Sequence, residues 1–464
     1  MRYISTRGAA PALDFEDVLL AGLARDGGLY MPEAWPQLSA VQMRGLAGAR
    51  YADVTARVLA PYTGGSLPES DLLQLLEGAY AGFGHAAVAP LKQIGPRHWL
   101  LELFHGPTLA FKDYALQAVG RLFDRVLAKR GRRVTIVGAT SGDTGSAAIE
   151  ACRDRAAIDI FILFPKGRVS DVQRRQMTTV ESANVHAIAI DGTFDDCQDL
   201  VKAMFNDQAF RDRHQLSAVN SINWARIAVQ IGYYAAAATA LGAPDRRVAF
   251  AVPTCNFGNV FAAYAARRMG FPIERLVLGS NANDILTRFL QTSEMTMAPV
   301  KPTLSPSMDI QVSSNFERLL FEVLGRDGAR VADTLGRFRK EGRFRLDGEA
   351  MGRIRGLFDG HRLDDAGTVE VIRGVHRETG ELIDPHTAIG VAAAEKARLD
   401  PALPVVSIAT AHPAKFAEAI ERAIGVRPAL PGRLAGLMQA RERAAELPNE
   451  LKAVEAFIAG RVKG

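Results

Sequence analysis

Cysteine is nearly missing from this chain of 464 residues: only Cys152, Cys197 and Cys255 occur. Their odd number and wide spacing exclude a disulfide framework and any zinc-finger pattern, and favour a reducing compartment. Long apolar runs are missing too. The most apolar long segment, Ile227 to Ala243, is interrupted by Gln230 and rich in alanine. It is short for a bilayer span and reads as a buried helix. The opening MRYISTRG has no apolar core of the kind a secretory signal needs. An excess of one charge is also missing, since 56 Lys and Arg stand against 51 Asp and Glu, a net +5. The basic clusters Lys129 to Arg133 and Arg337 to Arg345 are interleaved with apolar residues or flank helices, as solvated helix faces do. Nucleic-acid and membrane partners are therefore not expected, whereas a small anionic substrate suits the mild positive bias. What remains is the composition of a cytoplasmic globular protein, 48% hydrophobic and 23% charged. Its length suffices for about three domains' worth of core.

No repeat or low-complexity segment stands out. Up to about Pro90 the pattern is mainly helical, with apolar spacing over Asp14 to Leu23 and Asp71 to Tyr80. From about Arg133 short β-branched runs alternate with amphipathic ones: RVTIVGA, DIFILFP, VHAIAID, RVAFAVP, LVLGSN and PVVSIAT each precede a helical stretch. That alternation predicts parallel sheets covered by helices on both faces. Ser305 to Ala350 and Ala366 to Gly380 read as helical insertions, and the Pro/Gly-rich Arg427 to Arg433 leads into a helical tail.

Against this background one lysine is hard to place. In HGPTLAFKDYALQ, His105 to Gln117, Lys112 follows Leu109, Ala110 and Phe111 and precedes Asp113, at the predicted first turn of a helix. A partly desolvated ammonium at a helix N-terminus is disfavoured as a cation, which suits a Schiff-base lysine. From this window alone, a lysine on a solvated helix face is the default. Four further segments fall near strand ends, where ligands of open α/β folds bind. Gly138 to Gly145, GATSGDTG, offers amides and hydroxyls to an anion, or is simply a capped turn; it matches neither the dinucleotide nor the P-loop fingerprint. Thr254 to Asn259, TCNFGN, has a glycine that permits close approach and opens a helix. Asn220 to Arg226, NSINWAR, fits an oxyanion site, or a helix cap at Ser221 or Asn223 with a surface arginine. Thr410 to Lys415, TAHPAK, places a hydroxyl at a strand end for a ring nitrogen. His412 and Lys415 read there as structural or surface residues. His105 and His386 have no partner at metal or triad spacing and also read as structural, so no metal is expected.

In this order HGPTLAFKDYALQ, GATSGDTG, NSINWARIAVQ, PTCNFGN and ATAHPAKF resemble the threonine synthases, fold-type-II pyridoxal-phosphate enzymes. The amino-terminal FEDVLLAGLARDGGLYMPE is similar to the longer bacterial and fungal branch, and the resemblance covers about residues 1 to 425. It implies an α/β, tryptophan-synthase-β-like fold with two domains centred on parallel sheets, a helical N-terminal segment and a helical tail. The expected division is 1–93 for the N-terminal segment, 94–132 with 216–464 for the large cofactor domain, and 133–215 for a small mobile substrate domain. Lys112 would form the Schiff base with pyridoxal 5'-phosphate. The amides of Cys255, Asn256, Phe257, Gly258 and Asn259 would hold its phosphate, and Thr410 would hydrogen-bond its ring nitrogen. Ser141, Asp143 and Thr144 would lie against the substrate α-carboxylate and the cofactor face. Asn220, Ser221 and Arg226 would bind the phosphate of O-phosphohomoserine. Cys255 departs from the family, which usually has glycine there; were that position to need a positive φ, cysteine would cost about 1 kcal/mol or more.

The implied reaction is the last step of threonine biosynthesis, O-phospho-L-homoserine and water to L-threonine and phosphate, by γ-elimination and then β-addition of water. One rival stays open on sequence, a related lyase that releases a 2-oxo acid without hydration; a degenerate member acting as a binding or scaffold protein is expected to have lost Lys112 or Arg226, and both are present. The resemblance leaves monomer and dimer equally open.

Overall fold

The computed structural model describes residues 1–218 and 221–462. Apolar runs too continuous to present one wet face set the architecture. All eight residues of strand Ile158–Pro165, all six of Val248–Pro253 and all five of Val405–Ala409 are buried, as strands sandwiched between helical layers must be. They build two sheets. The larger has six strands in the order Phe358–Arg362, Ile273–Ser280, Val248–Pro253, Val405–Ala409, His98–Glu102 and Leu91–Gln93. All its pairings are parallel except that of the short edge strand Leu91–Gln93. The smaller sheet has five parallel strands in the order Ala445–Pro448, Val185–Asp191, Ile158–Pro165, Val134–Ala139 and Leu216–Ser217.

The helix Trp224–Ala240, the apolar segment that sequence reads as a buried helix, is buried along nearly its whole length. Its alanines allow close packing against helices Tyr51–Thr63, Lys112–Arg130 and Gly258–Arg268. The N-terminal segment is mainly helical, at Phe15–Ala21, Ala40–Arg44, Tyr51–Thr63 and Glu69–Tyr80. Tyr3–Ser5 and Tyr30–Pro32 add an antiparallel pair to it. The connection from Ile273–Ser280 to Phe358–Arg362 carries a mainly helical insertion, held by a second small pair, Glu294–Thr296 with Arg343–Arg345.

The limits of the two units differ from expectation at both ends of 216–464. Leu216–Ser217 pairs with Val134–Ala139, and Ala445–Pro448 pairs with Val185–Asp191, so both belong to the smaller sheet. Four residues of AELP are too few to carry a visible alternation, and an open sheet edge supplies the template that local sequence does not. The tail is helical beyond it: Leu451–Ala459 buries Val454 and Ile458 against Ile188, Ile190 and Leu200. Among the described residues no helix is long and apolar enough to cross a membrane.

Candidate active site

Lys112 is the first residue of helix Lys112–Arg130 and only 8% exposed. The segment before it is pinned to the end of strand Val405–Ala409: Phe111 N donates to Thr410 O at 2.8 Å, and His412 N to Leu109 O at 3.0 Å. Leu109 holds φ at 61°, a left-handed conformation that costs a side-chain-bearing residue roughly 1–2 kcal/mol. Strain of this kind persists where surrounding contacts over-determine it. The Phe111 ring lies 4.9 Å from Lys112 Nζ. Lys112 is therefore walled and buried, where the window alone defaults to a lysine on a solvated helix face.

Its ammonium is not left alone. Asp143, first residue of helix Asp143–Cys152, places Oδ2 3.3 Å from Lys112 Nζ. On its other oxygen Asp143 meets Lys415 Nζ at 2.7 Å and Gln173 Nε2 at 2.9 Å. Lys415 is 2% exposed and also donates to Thr108 O at 2.7 Å. Burial alone would raise the Asp143 carboxyl, but Lys415 and then Lys112 outweigh it and hold it far below the usual carboxylate range. The adjacent Gly142 has φ 140°, and a Cβ there would fall within 2.4 Å of the Gln173 side chain. Glycine is needed for the turn that delivers Asp143. Lys415 is thus a buried partner of the site, where sequence reads a structural or surface residue. Its apolar flanks, Pro413, Ala414 and Phe416, are the same signal that singles out Lys112.

A second feature sits on the other side of Lys112. One cavity is lined by Lys112, Thr144, Ser221 and Arg226 together with the whole loop Cys255 to Asn259. Arg226 is 4% exposed, not the surface arginine of the alternative reading. Among the described residues its Nε and Nη1 have no hydrogen-bond partner, and neither has Asn259 Nδ2. Burial lowers the Arg226 guanidinium to about 10, which leaves it a cation at neutral pH. Tyr233 and Tyr234 both donate to Asn259 Oδ1, each at 2.6 Å, which fixes the amide and leaves its nitrogen free. Buried donors without acceptors, beside the N-terminus of helix Gly258–Arg268, suit an anion. Gly258 is confined: a Cβ would lie 3.2 Å from Asn315 Nδ2 and 3.4 Å from Ile227 Cδ1. Asn315 ties the two loops together, with its N on Asn256 O and its Nδ2 on Ser221 O, both at 3.0 Å. The fully buried Arg318 in turn holds Asn315 and Ile222 O against Tyr30 O.

In that loop the residue with a positive φ is Phe257, at 62°, and not Cys255. Cysteine therefore carries no backbone strain where the family usually has glycine. Phe257 is held in place by Phe316 and Phe358, with centroids at 5.4 and 5.8 Å.

A smaller cavity is lined by Lys112, Asp143, Cys255 and Thr410, with Ser307, Met308 and His386. His386 is a residue that sequence reads as structural. Ser141 is exposed and lines neither cavity, and Asn220 lies outside the described residues. Asn223 caps helix Trp224–Ala240 as the alternative reading has it, through Ala225 N at 3.0 Å.

Residues 2–80 match the family model for the threonine synthase N terminus, 85–334 that for pyridoxal-phosphate-dependent enzymes, and 387–458 that for the threonine synthase C-terminal region. The threonine synthase of Pseudomonas aeruginosa is 56% identical over 459 residues, which is 99% of this chain and 98% of that one. The chain belongs to the threonine synthase family. Among solved structures, the pyridoxal-phosphate-bound threonine synthase from Brucella melitensis superposes with a TM-score of 0.98 at 53% identity, covering 100% of both chains. The yeast threonine synthase gives 0.94 at 36% identity, covering 99% of this chain and 98% of that one. The fold and the cofactor class implied by the threonine synthase motifs stand accordingly.

Proposed function

We infer that this member of the threonine synthase family converts O-phospho-L-homoserine and water to L-threonine and phosphate with pyridoxal 5'-phosphate. The observation that carries the reading is a buried lysine and a buried arginine, whose Nε and Nη1 have no partner among the described residues, lining one cavity with a helix N-terminus. The residues fit the cofactor: Lys112 supplies the amine, Cys255 to Asn259 a phosphate cradle, and Thr410 a hydroxyl for the ring nitrogen. When bound, the cofactor supplies the electron sink that makes loss of a proton from the substrate Cα feasible. Everything else falls to the chain.

Arg226 and Ser221 take the substrate phosphate in this reading, and the guanidinium retains it after the C–O bond breaks. Ser141 and Thr144 take the α-carboxylate. Asp143, an ionised carboxylate, would repel that group, so its part is to face the cofactor and hold the lysine ammonium. Lys112 moves the proton at Cα once released. The smaller sheet carries the Ser141 loop and is read as the part that closes over substrate and excludes water. The cytoplasmic setting belongs to the same reading and is supported by three free cysteines.

The test is a spectrum and a product. The protein with cofactor is expected to show a visible imine absorbance that borohydride abolishes and that Lys112→Ala lacks. Chiral chromatography after addition of O-phosphohomoserine is expected to give L-threonine and phosphate in equal amounts. A 2-oxo acid in place of threonine would select the non-hydrating lyase, and no imine absorbance would sink both.

A further inference from the structure

His386 has no role in the reading above, yet it is built as a base. It is 4% exposed, at the start of helix Pro385–Lys396, with Nδ1 2.6 Å from Asp384 Oδ2. Asp384 is fully buried and also accepts from His386 N at 3.0 Å, Thr387 N at 3.1 Å and Thr387 Oγ1. A carboxylate so anchored keeps the imidazole proton on Nδ1, which makes Nε2 the bare acceptor. The Phe416 ring packs on the imidazole with centroids 4.7 Å apart and fixes its plane. Among the described residues Nε2 has no hydrogen-bond partner. A buried polar atom left unpaired costs roughly 1–3 kcal/mol, so it asks for a ligand or a reacting group. The cavity that His386 lines also takes in Lys112, Asp143 and Thr410. Thr387 Oγ1, held by Asp384, accepts from Thr410 N at 3.2 Å, so the dyad and the ring-nitrogen residue form one network.

We propose that His386, oriented by Asp384, is the proton acceptor for the Lys112 amine. The proposal rests on the reading of Lys112 as the amine that captures the cofactor. In the step, one proton leaves Lys112 Nζ for His386 Nε2, and the electron pair stays on nitrogen for attack at the carbonyl carbon. The imidazolium so formed is stabilised by Asp384 and returns the proton when the amine is released. Asp143 is nearer but unfit for the task. Lys415 and Lys112 outweigh its burial and keep it ionised far below neutral pH, so it does not take up the proton.

The experiment follows capture of pyridoxal phosphate by apo-protein, as growth of imine absorbance in a stopped-flow cell. His386→Asn keeps a partner for Asp384 and drops Nε2. His386→Gln keeps a polar group near the Nε2 position that cannot take a proton. Both are expected to slow capture about a hundredfold or more, the scale of general-base catalysis, with circular dichroism unchanged and equilibrium cofactor affinity moved far less than the rate. In His386→Ala, added imidazole is expected to restore part of the rate. An unchanged capture rate in the Asn and Gln variants overturns the proposal, and so does a slow rate in the Ala variant that imidazole leaves untouched. Failure of the unmodified protein to form a borohydride-sensitive imine would sink the Lys112 reading itself, and this proposal with it.

Discussion

Lys415→Met strands a charge, and the size of the effect can be worked from the contacts. Asp143 loses its 2.7 Å partner but keeps Lys112 at 3.3 Å and Gln173 at 2.9 Å. Removing one member of a buried ion pair costs about 3–5 kcal/mol, and the two surviving contacts put this case at about 3. Asp143→Asn alone leaves the Lys415 ammonium buried with Thr108 O at 2.7 Å as its remaining strong acceptor, again about 3 kcal/mol. The double variant removes both halves of the conflict. Its expected cost is that of one single variant, not the sum, which gives a coupling of about 3 kcal/mol. Urea unfolding of the four apo-proteins at neutral pH, followed by circular dichroism, measures this directly. Because the pair is buried, the coupling should change little with added salt. Additive losses, or a single-variant loss below about 1 kcal/mol, would refute the claim that Lys415 balances Asp143.

Arg226→Gln removes a buried cation whose Nε and Nη1 have no partner among the described residues, so stability without any anion is expected to hold or rise by about 1 kcal/mol. The stabilisation that inorganic phosphate gives the parent protein in thermal melts should vanish; a large loss in phosphate-free buffer would show that the guanidinium is structural. Burial pushes the Asp113 carboxyl up to about 6, against the Thr108 and Lys415 contacts that hold it down, from about 3.9 in an unfolded chain. The folded protein therefore holds a proton that the unfolded chain has released. This contribution is complete below about pH 4 and lost as pH rises through 6, about 3 kcal/mol in all. The stability difference between parent and Asp113→Asn should move by that amount between about pH 4 and pH 7, and a flat difference would refute the assignment. Cys255→Gly should leave cofactor affinity within about twofold, since no positive φ is relieved there; a tenfold gain in a fluorescence titration would count against the geometry.

What was legible in the sequence is what short windows determine. Continuous apolar runs announced the buried strands, and HGPTLAFKDYALQ announced a helix opening at Lys112. The loops Gly138 to Gly145 and Cys255 to Asn259 were recognisable because small and polar residues at strand ends have few other uses. The partners were not legible. Asp143 and Lys415 follow strands of different sheets, 272 positions apart along the chain, and nothing local says that one neutralises the other. His386 looked structural because its carboxylate stands two residues away, at a helix cap, and the cavity it faces is assembled from distant segments. Loop strain was misplaced for a related reason. Residue preference points to the substituted glycine, whereas packing of Phe257 between two other phenylalanines decides which residue turns left-handed.

The strand Ala445–Pro448 closes the outer edge of the smaller sheet, far along the chain from the strand it covers. While the chain is being synthesised, Val185–Asp191 therefore waits with one row of backbone groups unpaired for more than half the length of the protein. Such an exposed edge recruits other strands. Ala445–Pro448 thus covers an edge that would otherwise be open to strands of other molecules. Deleting Ala445–Pro448 therefore threatens solubility during expression before it threatens the catalytic centre.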